Sequence, residues 1–370
     1  MKKTARIVIG ANLGDEGKGT VVAHYAKQSK DAPTLNVLTN GGAQRAHSVV
    51  SDNGEFTFQH FGSGTCYGAD SYFSKSFILN PMQFANEVFN LDNRLDLGKI
   101  YRHRDCRWTT PFDQMFNLAI ETNRGDKKHG SCGMGIWETV LRYNTFDCLP
   151  FDKFILMDDK EKRKYLKSVK TYFEKIRRIA LPKKLYGPWH SKGLIDHFIA
   201  DCKLLYSRTT VADQKLLNEK YVNIILENGQ GLLLNDDPNN VHTTPSNTGL
   251  DDSLPILKDF NINPEDTTVH YVTRPYLTRH GAGFLDSERN RQNISQSIQE
   301  DRTNHYNSSQ GDFRYGCLDI SDLKKRIDSD FSKASGFSKI LEITHCDEMD
   351  RVSEFKKYFK DIHTFDKKEV

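Results

Sequence analysis

Two stretches near the start of the 370-residue chain carry residue types able to act on phosphate. The first is Ile7-Val8-Ile9-Gly10-Ala11-Asn12-Leu13-Gly14-Asp15-Glu16-Gly17-Lys18-Gly19-Thr20. Its glycines remove side chains that would block an anion, and a turn feeding a helix presents backbone N–H groups to that anion. Lys18 adds a positive charge, and Asp15 stands where phosphate or magnesium would lie. The spacing is not G-x-x-x-x-G-K-[ST], because Gly19 separates Lys18 from Thr20. An ordinary strand-to-helix connection is the alternative, although Gly14, Gly17 and Gly19 with charged residues between them exceed what a turn requires. The second stretch, Thr39-Asn40-Gly41-Gly42-Ala43-Gln44-Arg45-Ala46-His47-Ser48-Val49-Val50, places His47 on a glycine-rich loop after a strand. Such loops are where α/β folds put chemistry, though a lone histidine is also compatible with a satisfied core or surface position.

The elements that must hold these loops are short and apolar. Ala5 to Ile9 reads as a buried strand, Lys18 onward as a helix, and Thr34 to Leu38, Tyr221 to Leu226, Thr268 to Thr273 and Lys339 to Ile343 as further strands. Between them, Leu156 to Leu181 is Lys/Arg-rich with apolar residues at helical spacing, its run Lys160 to Lys164 reading as a solvated face. Tyr186-Gly187-Pro188-Trp189 punctuates the chain before another helical stretch, Ile195 to Tyr206. A chain of this length can bury a sizeable core. The net charge of +3 gives little support for nucleic-acid binding. Seven scattered cysteines without a C-x-x-C pair fit reduced thiols in a cytosol better than disulfides or zinc. No stretch approaches the ~20 apolar residues of a membrane span, and the apolar run behind Lys2-Lys3 is too short for a secretory leader.

The pairing of G-D-E-G-K-G with the loop ending Ala46-His47-Ser48-Val49-Val50, followed by His60-Phe61-Gly62-Ser63-Gly64 and Ile78-Leu79-Asn80-Pro81, resembles the adenylosuccinate synthetases. The likeness is dense over residues 5 to 85 and patchier afterwards. His129-Gly130-Ser131-Cys132-Gly133-Met134-Gly135-Ile136 resembles the family loop that holds a nucleotide 5′-phosphate, with Ser131 and the weaker donor Cys132 at its two threonines. Arg142 is the candidate for a family arginine that crosses a dimer interface to that phosphate. Glu227-Asn228-Gly229-Gln230-Gly231 is similar to E-G-A-Q-G, and Thr243 to Thr248 to the family's T-S-S-N-T. Asn307 to Asp319 resembles the aspartate-capturing loop, with Ser308 and Ser309 at its threonines and Arg314 where the family has four arginines. Thr344-His345-Cys346-Asp347 stands where the family has T-K-L-D.

The resemblance implies an α/β fold related to the P-loop NTPases, with a large, mostly parallel central sheet flanked by helices. It implies one domain over residues 1–370 with a helical insertion at about 150–210. It implies a ligase joining L-aspartate to C6 of a 6-oxopurine nucleotide, IMP to adenylosuccinate, through a 6-phosphoryl intermediate with hydrolysis of GTP or ATP. Asp15, Lys18, His47 and Gln230 would be catalytic. Gly14, Glu16, Gly17, Lys18, Gly19, Thr20, His345 and Asp347 would hold the triphosphate nucleotide. Gln44, Ser131, Cys132, Arg142, Gln230, Thr244, Ser308, Ser309 and Arg314 would hold the substrates, and Asp15 with the Ala46 carbonyl would hold Mg²⁺. A cytoplasmic homodimer (host cytoplasm if viral) without nucleic-acid or membrane partners is implied too. Gln44, Arg45 and Ala46 depart from the family loop, which leaves two further readings open. One is a viral-type enzyme adding aspartate to GMP or dGMP, where Asp15 is a serine. The other is a nucleotide-binding regulator without catalysis, motivated by the thinned arginine loop.

Overall fold

The computed structural model describes residues 2–301, 304, 306 and 310–367. Nine strands build one wholly parallel sheet: β1 (Thr4–Gly10), β2 (Thr34–Leu38), β3 (Asp70–Phe73), β4 (Ile100–Arg102), β5 (Thr210–Val211), β6 (Asn223–Gly231), β7 (Thr267–Thr273), β8 (Ser338–Ile343) and β9 (Ile362–Thr364). Their spatial order is β5-β4-β3-β2-β6-β1-β7-β8-β9. The central strands are buried on both faces, so they read in the sequence as continuous apolar runs rather than as alternation. From β1 the chain first goes one way, to β2 and β3, and later the other, to β7 and β8. The carboxyl ends of β1, β2, β6, β7 and β8 therefore surround a topological switch point, the place where open parallel sheets bind ligands.

Three helices bear on that point: α1 (Lys18–Gln28), α2 (Pro111–Arg124) and α3 (Ile136–Thr145). Beyond α3, helices at Phe151–Leu156, Asp159–Thr171, Lys183–His190 and Gly193–Arg208 form a layer that packs on aromatic rings. Trp108 stacks on Phe198 at 6.1 Å, Phe112 meets Trp189 edge-on at 5.3 Å and Phe116 lies 4.7 Å from Phe173. An antiparallel hairpin, His47–Ser51 with Gly54–Phe58, stands beside α1. The approach is close at Gly19, where a Cβ would come within 2.7 Å of the Ser48 carbonyl and 3.2 Å of the His47 Cβ.

The structure departs from the sequence reading in the helical layer. The stretch expected to run from Leu156 to Leu181 is a regular helix only to Thr171, then widens into a π-helical turn, Tyr172–Arg177, that ends at Arg178 with φ 45°. Tyr186 to Trp189 lies inside the helix Lys183–His190. Pro188 inside the helix removes an i→i−4 hydrogen bond, and the buried Leu185 and Trp189 hold the helix down in spite of it. Lys162 folds out of its charged run and donates to the Met157 carbonyl at 2.5 Å, nearly buried.

Candidate functional site

A cavity of about 1040 Å³ opens at the carboxyl edge of the sheet. Its walls come from the loops after β1, β2, β6 and β7, the loop 129–135 before α3, and the turn after β8. Of the residues expected to act, Gly14, Asp15, Glu16, Gly17, Lys18, Gly19, Thr20, Gln44, Ala46, His47, Ser131, Cys132, Gln230, Thr244 and His345 all line it.

The first loop is organised by an internal anion. The Glu16 carboxylate turns inward and accepts from the Asn12 and Gly14 N–H groups at 2.9 Å each, while Lys18 Nζ pairs with its other oxygen at 2.9 Å. Gly10 is required beneath it, since a Cβ there would stand 2.4 Å from Glu16 Oε2. Glu16 thus fills the first half of the loop and leaves the second half open. Helix α1 starts from Gly17, φ 90°, with no side-chain cap, so no capping side chain takes the N–H groups of its first turn. Asp15 sits between the halves with φ 29°, its backbone carbonyl held by Arg274 Nε at 2.6 Å. Its side chain accepts no hydrogen bond from a described residue, and burial raises its pKa above the ordinary carboxylate value against the pull of Arg274 and Lys18.

His47 belongs to a buried quartet. Glu227, fully buried in β6, lies 2.6 Å from His47 Nδ1 and 2.5 Å from Arg45 Nη2, and accepts from Ser63 through N–H at 3.0 Å and Oγ–H at 2.6 Å. A carboxylate oxygen so close to Nδ1 requires the proton on that nitrogen, which leaves Nε2 as the open end of the ring. His47 Nε2 has no partner among the described residues. Burial, reinforced by Arg45, lowers the His47 pKa to about 4. For Glu227, burial opposes ionisation, but Arg45, His47 and Ser63 overcome it and hold the carboxyl at about 2. The motif His60-Phe61-Gly62-Ser63-Gly64 therefore supplies a support: Ser63 holds Glu227, while His60 is a core residue accepting from the Asn80 N–H at 3.0 Å.

Further polar atoms in the wall await partners. Both side-chain amide atoms of Gln44 and the Nε and Nη1 atoms of Arg45 are buried and have no hydrogen-bond partner among the described residues. Buried polar atoms are normally satisfied, so such a concentration in one cavity marks a ligand's place. Gln230 lies across the loop, its Oε1 3.6 Å from where a Gly14 Cβ would be. His345, buried with φ 58°, keeps its Nδ1 2.9 Å from Thr344 Oγ1, and burial pushes its pKa well down.

The loop 129–135 is a second glycine turn, and its first N–H groups are held by a carboxylate of the protein. Gly130, Gly133 and Gly135 take φ of 77°, 79° and 71°, and Gly135 starts α3 without a side-chain cap. The Gly130 and Ser131 N–H groups converge on Glu121 Oε2 at 2.8 and 3.4 Å. Ser131 Oγ donates to Asn117 at 2.9 Å, and burial raises the Cys132 pKa.

Three expectations are corrected. Arg142 is fully buried in α3, bonded to Asp113 at 2.8 and 3.0 Å and to the Trp108 carbonyl at 2.8 Å. It is a core ion pair and does not line the cavity. Arg314 does not line the cavity: it pairs with Glu288 at 2.7 Å and donates to the Gly281 and Gly283 carbonyls. Asp347 is exposed outside the cavity, accepting from the Lys367 N–H at 2.8 Å. Ser308 and Ser309 lie outside the described residues. Sequence reasoning missed Glu227, Arg274 and Arg177. The first had a signal: a glutamate closing the apolar run Ile224 to Leu226 in a strand buried on both faces survives only with partners.

Comparison with known proteins places this geometry. The family model for adenylosuccinate synthetase matches residues 7–359. The adenylosuccinate synthetase of Geotalea uraniireducens (strain Rf4) is 26% identical over 294 residues, which is 76% of this chain and 64% of that protein. That of Malacoplasma penetrans (strain HF-2) is 26% identical over 365 residues, covering 96% and 80%. Among solved structures, fully ligated adenylosuccinate synthetase from Plasmodium falciparum aligns with a TM-score of 0.71 at 18% identity, over 95% of this chain and 78% of that one. The cyanophage S-2L succinoaminodeoxyadenylate synthetase (PurZ), bound to dGMP and dATP, aligns with a TM-score of 0.63 at 10% identity, covering 99% and 92%.

Proposed function

The chain belongs to the adenylosuccinate synthetase family, and on that premise we propose that it joins L-aspartate to C6 of a 6-oxopurine nucleotide, converting IMP to adenylosuccinate at the expense of GTP or ATP. The observation that carries this reading is the convergence of Asp15, Lys18, His47 and Gln230 on one cavity that also holds two uncapped glycine helix starts. Two anionic groups, a triphosphate and a nucleotide monophosphate, suit two such starts.

In this reading Asp15 takes the proton from N1 of the purine as O6 attacks the terminal phosphoryl group. Its partial burial and raised pKa suit a base better than an exposed carboxylate would. Lys18 and the N–H groups from Gly17 to Thr20 offset charge on the phosphates. His47 is neutral before phosphate binds; once bound phosphate charge offsets the burial and the Arg45 charge that lower its pKa, the ring takes a second proton at Nε2 and donates it to the transferring group, while Glu227 holds the ring and supports its charge. Gln230 orients the purine. Displacement of the 6-phosphoryl group by the aspartate nitrogen then gives the N6-succinyl product. The donor set fits magnesium: Asp15 offers a carboxylate free of hydrogen bonds from described residues, and the exposed Ala46 lines the same cavity. No cluster of three candidate side-chain ligands exists among the described residues, as expected for a cation that is held chiefly through phosphates. Bound there, magnesium would neutralise charge on the phosphoryl oxygens.

The test is incubation with IMP, GMP or dGMP, aspartate, Mg²⁺ and GTP or ATP, following the succinyl-purine absorbance. Product from IMP supports the proposal. Product from dGMP alone moves the chain to the viral-type reaction, and nucleotide binding without product makes it a regulator.

A further inference from the structure

We propose that Arg274 is a positioning residue: by drawing the Asp15 carbonyl outward it holds Asp15 in a strained backbone conformation and so sets where the Asp15 carboxylate stands in the cavity. That Asp15 acts as a base rests on the reading above; the positioning of its backbone does not.

Asp15 has φ 29°, and a non-glycine residue keeps such a conformation only where its surroundings over-determine it. Here the surroundings are donors brought from distant elements. Arg274, the residue after β7, gives Nε to the Asp15 carbonyl at 2.6 Å, and Thr344, the residue after β8, gives its hydroxyl to the Glu16 carbonyl at 2.6 Å. Arg326, from the helix Ile320–Phe331, gives Nε to the Ala11 carbonyl at 3.0 Å and Nη2 to Asn12 Oδ1 at 2.7 Å. Carbonyl dipoles repel an anion and N–H dipoles attract one, so a loop gripped by these carbonyls keeps its acceptors away from the ligand. Of the three donor residues, Arg274 alone lines the cavity. Its buried guanidinium is fixed at its other nitrogens too: Nη2 pairs with Asp301 Oδ2 at 3.1 Å, and Nη1 faces the Tyr276 hydroxyl at 3.4 Å, which is bonded in turn to Glu348. One planar group with donors on several edges therefore locates the Asp15 carbonyl relative to Asp301 in the opposite part of the frame.

Labelling Asp with ¹³C at the carbonyl and Glu with ¹⁵N singles out two peptide units by NMR, Asp15–Glu16 and Asp347–Glu348, because no other Asp-Glu pair occurs in the chain. Asp15→Asn identifies the first signal by its loss. In Arg274→Met that signal should shift or broaden. Where Arg274→Met does not fold, Arg274→Met/Asp301→Asn, which leaves no stranded carboxylate, takes its place. Turnover gives the second measurement: Arg274→Met should lower kcat about 10- to 100-fold with the KM for IMP within about threefold of the unaltered chain. In an Asp15→Asn background the same substitution should change kcat by less than about threefold, since a residue that acts through Asp15 has nothing left to position. An unmoved Asp15–Glu16 signal overturns the proposal whatever reaction the chain performs. An equal loss of kcat in both backgrounds overturns it as well, by showing a structural role independent of Asp15. A shifted signal in a chain that makes no succinyl-purine upholds the positioning and refutes only the reaction.

Discussion

Glu227→Gln separates the chemistry of His47 from the stability of the loop that carries it. Glu227 receives His47, Arg45 and both donors of Ser63 within 2.5 to 3.0 Å, all out of water. An amide of the same shape turns one acceptor into a donor and strips Arg45 of its counter-charge. Breaking one side of a buried pair costs about 3–5 kcal/mol, so the single variant should melt several degrees lower. Independently, His47 loses the negative charge that supports its imidazolium, and a loss of proton donation lowers turnover ~10²–10⁴-fold. The double variant Glu227→Gln/Arg45→Met removes the stranded cation, so melting temperature should recover while turnover does not. Thermal unfolding followed by circular dichroism gives the first quantity, and phosphate release at a temperature where both variants are folded gives the second. If the double variant regains turnover to within about tenfold of the unaltered chain, the carboxylate plays no part in the step and the assignment of His47 fails with it.

Asp15→Asn and His47→Ala should each lose at least ~10²-fold in turnover. Asp15→Asn should keep or raise the melting temperature, because burial already disfavours the carboxylate and nothing bonds to it; near-normal turnover in either variant refutes the role given. Glu138, pushed up to about 7 by burial against the pull of Arg177, binds more protons folded than unfolded between pH 4.5 and 7. Stability in that window therefore falls as pH rises, by up to about 3 kcal/mol, and Glu138→Gln should flatten the slope in denaturant titrations at pH 5 and 7.5. Arg142→Met strands the fully buried Asp113 and should lower stability by about 3–5 kcal/mol while leaving nucleotide affinity unchanged below the unfolding transition, whereas a phosphate ligand would show the opposite pattern.

The five central strands were legible because each is a short apolar run, and a parallel sheet buried on both faces demands that pattern, whereas the outer strands Asp70–Phe73, Ile100–Arg102, Thr210–Val211 and Ile362–Thr364, two to four residues long, were not read. Thr34–Leu38 was read to the residue, and Thr268–Thr273 and Lys339–Ile343 to within one. The cavity-facing loops were legible through their glycines. What escaped depends on pairs far apart in the chain. Arg142 meets Asp113 across 29 residues and Arg45 meets Glu227 across 182, and no local pattern distinguishes such an arginine from one that waits for phosphate. The helix at Lys183–His190 escaped because Gly187-Pro188 is turn chemistry, overridden by burial of Leu185 and Trp189.

A left-handed glycine at the N-cap marks the two helices that open on the cavity; lack of a side-chain cap alone does not, since the helices Phe151–Leu156, Lys183–His190, Gly193–Arg208, Ser253–Asp259 and Val352–Phe355 lack one too. Helices at Pro81–Leu91, Pro111–Arg124, Asp159–Thr171, Gln214–Lys220 and Ile320–Phe331 start from Asn80, Thr110, Asp158, Asp213 and Asp319, whose side chains cap the first turn. Helices α1 and α3 start instead from Gly17 and Gly135 in the left-handed region, with no side-chain cap. A side-chain cap would take the very N–H groups that an anion needs, and a Cβ at Gly17 would come within 3.0 Å of Thr344. The chain thus gives up a stabilising cap at the two helix starts that open on its cavity. The same residue at both positions meets one physical requirement, helix N–H groups kept clear of a capping side chain where negatively charged groups would bind.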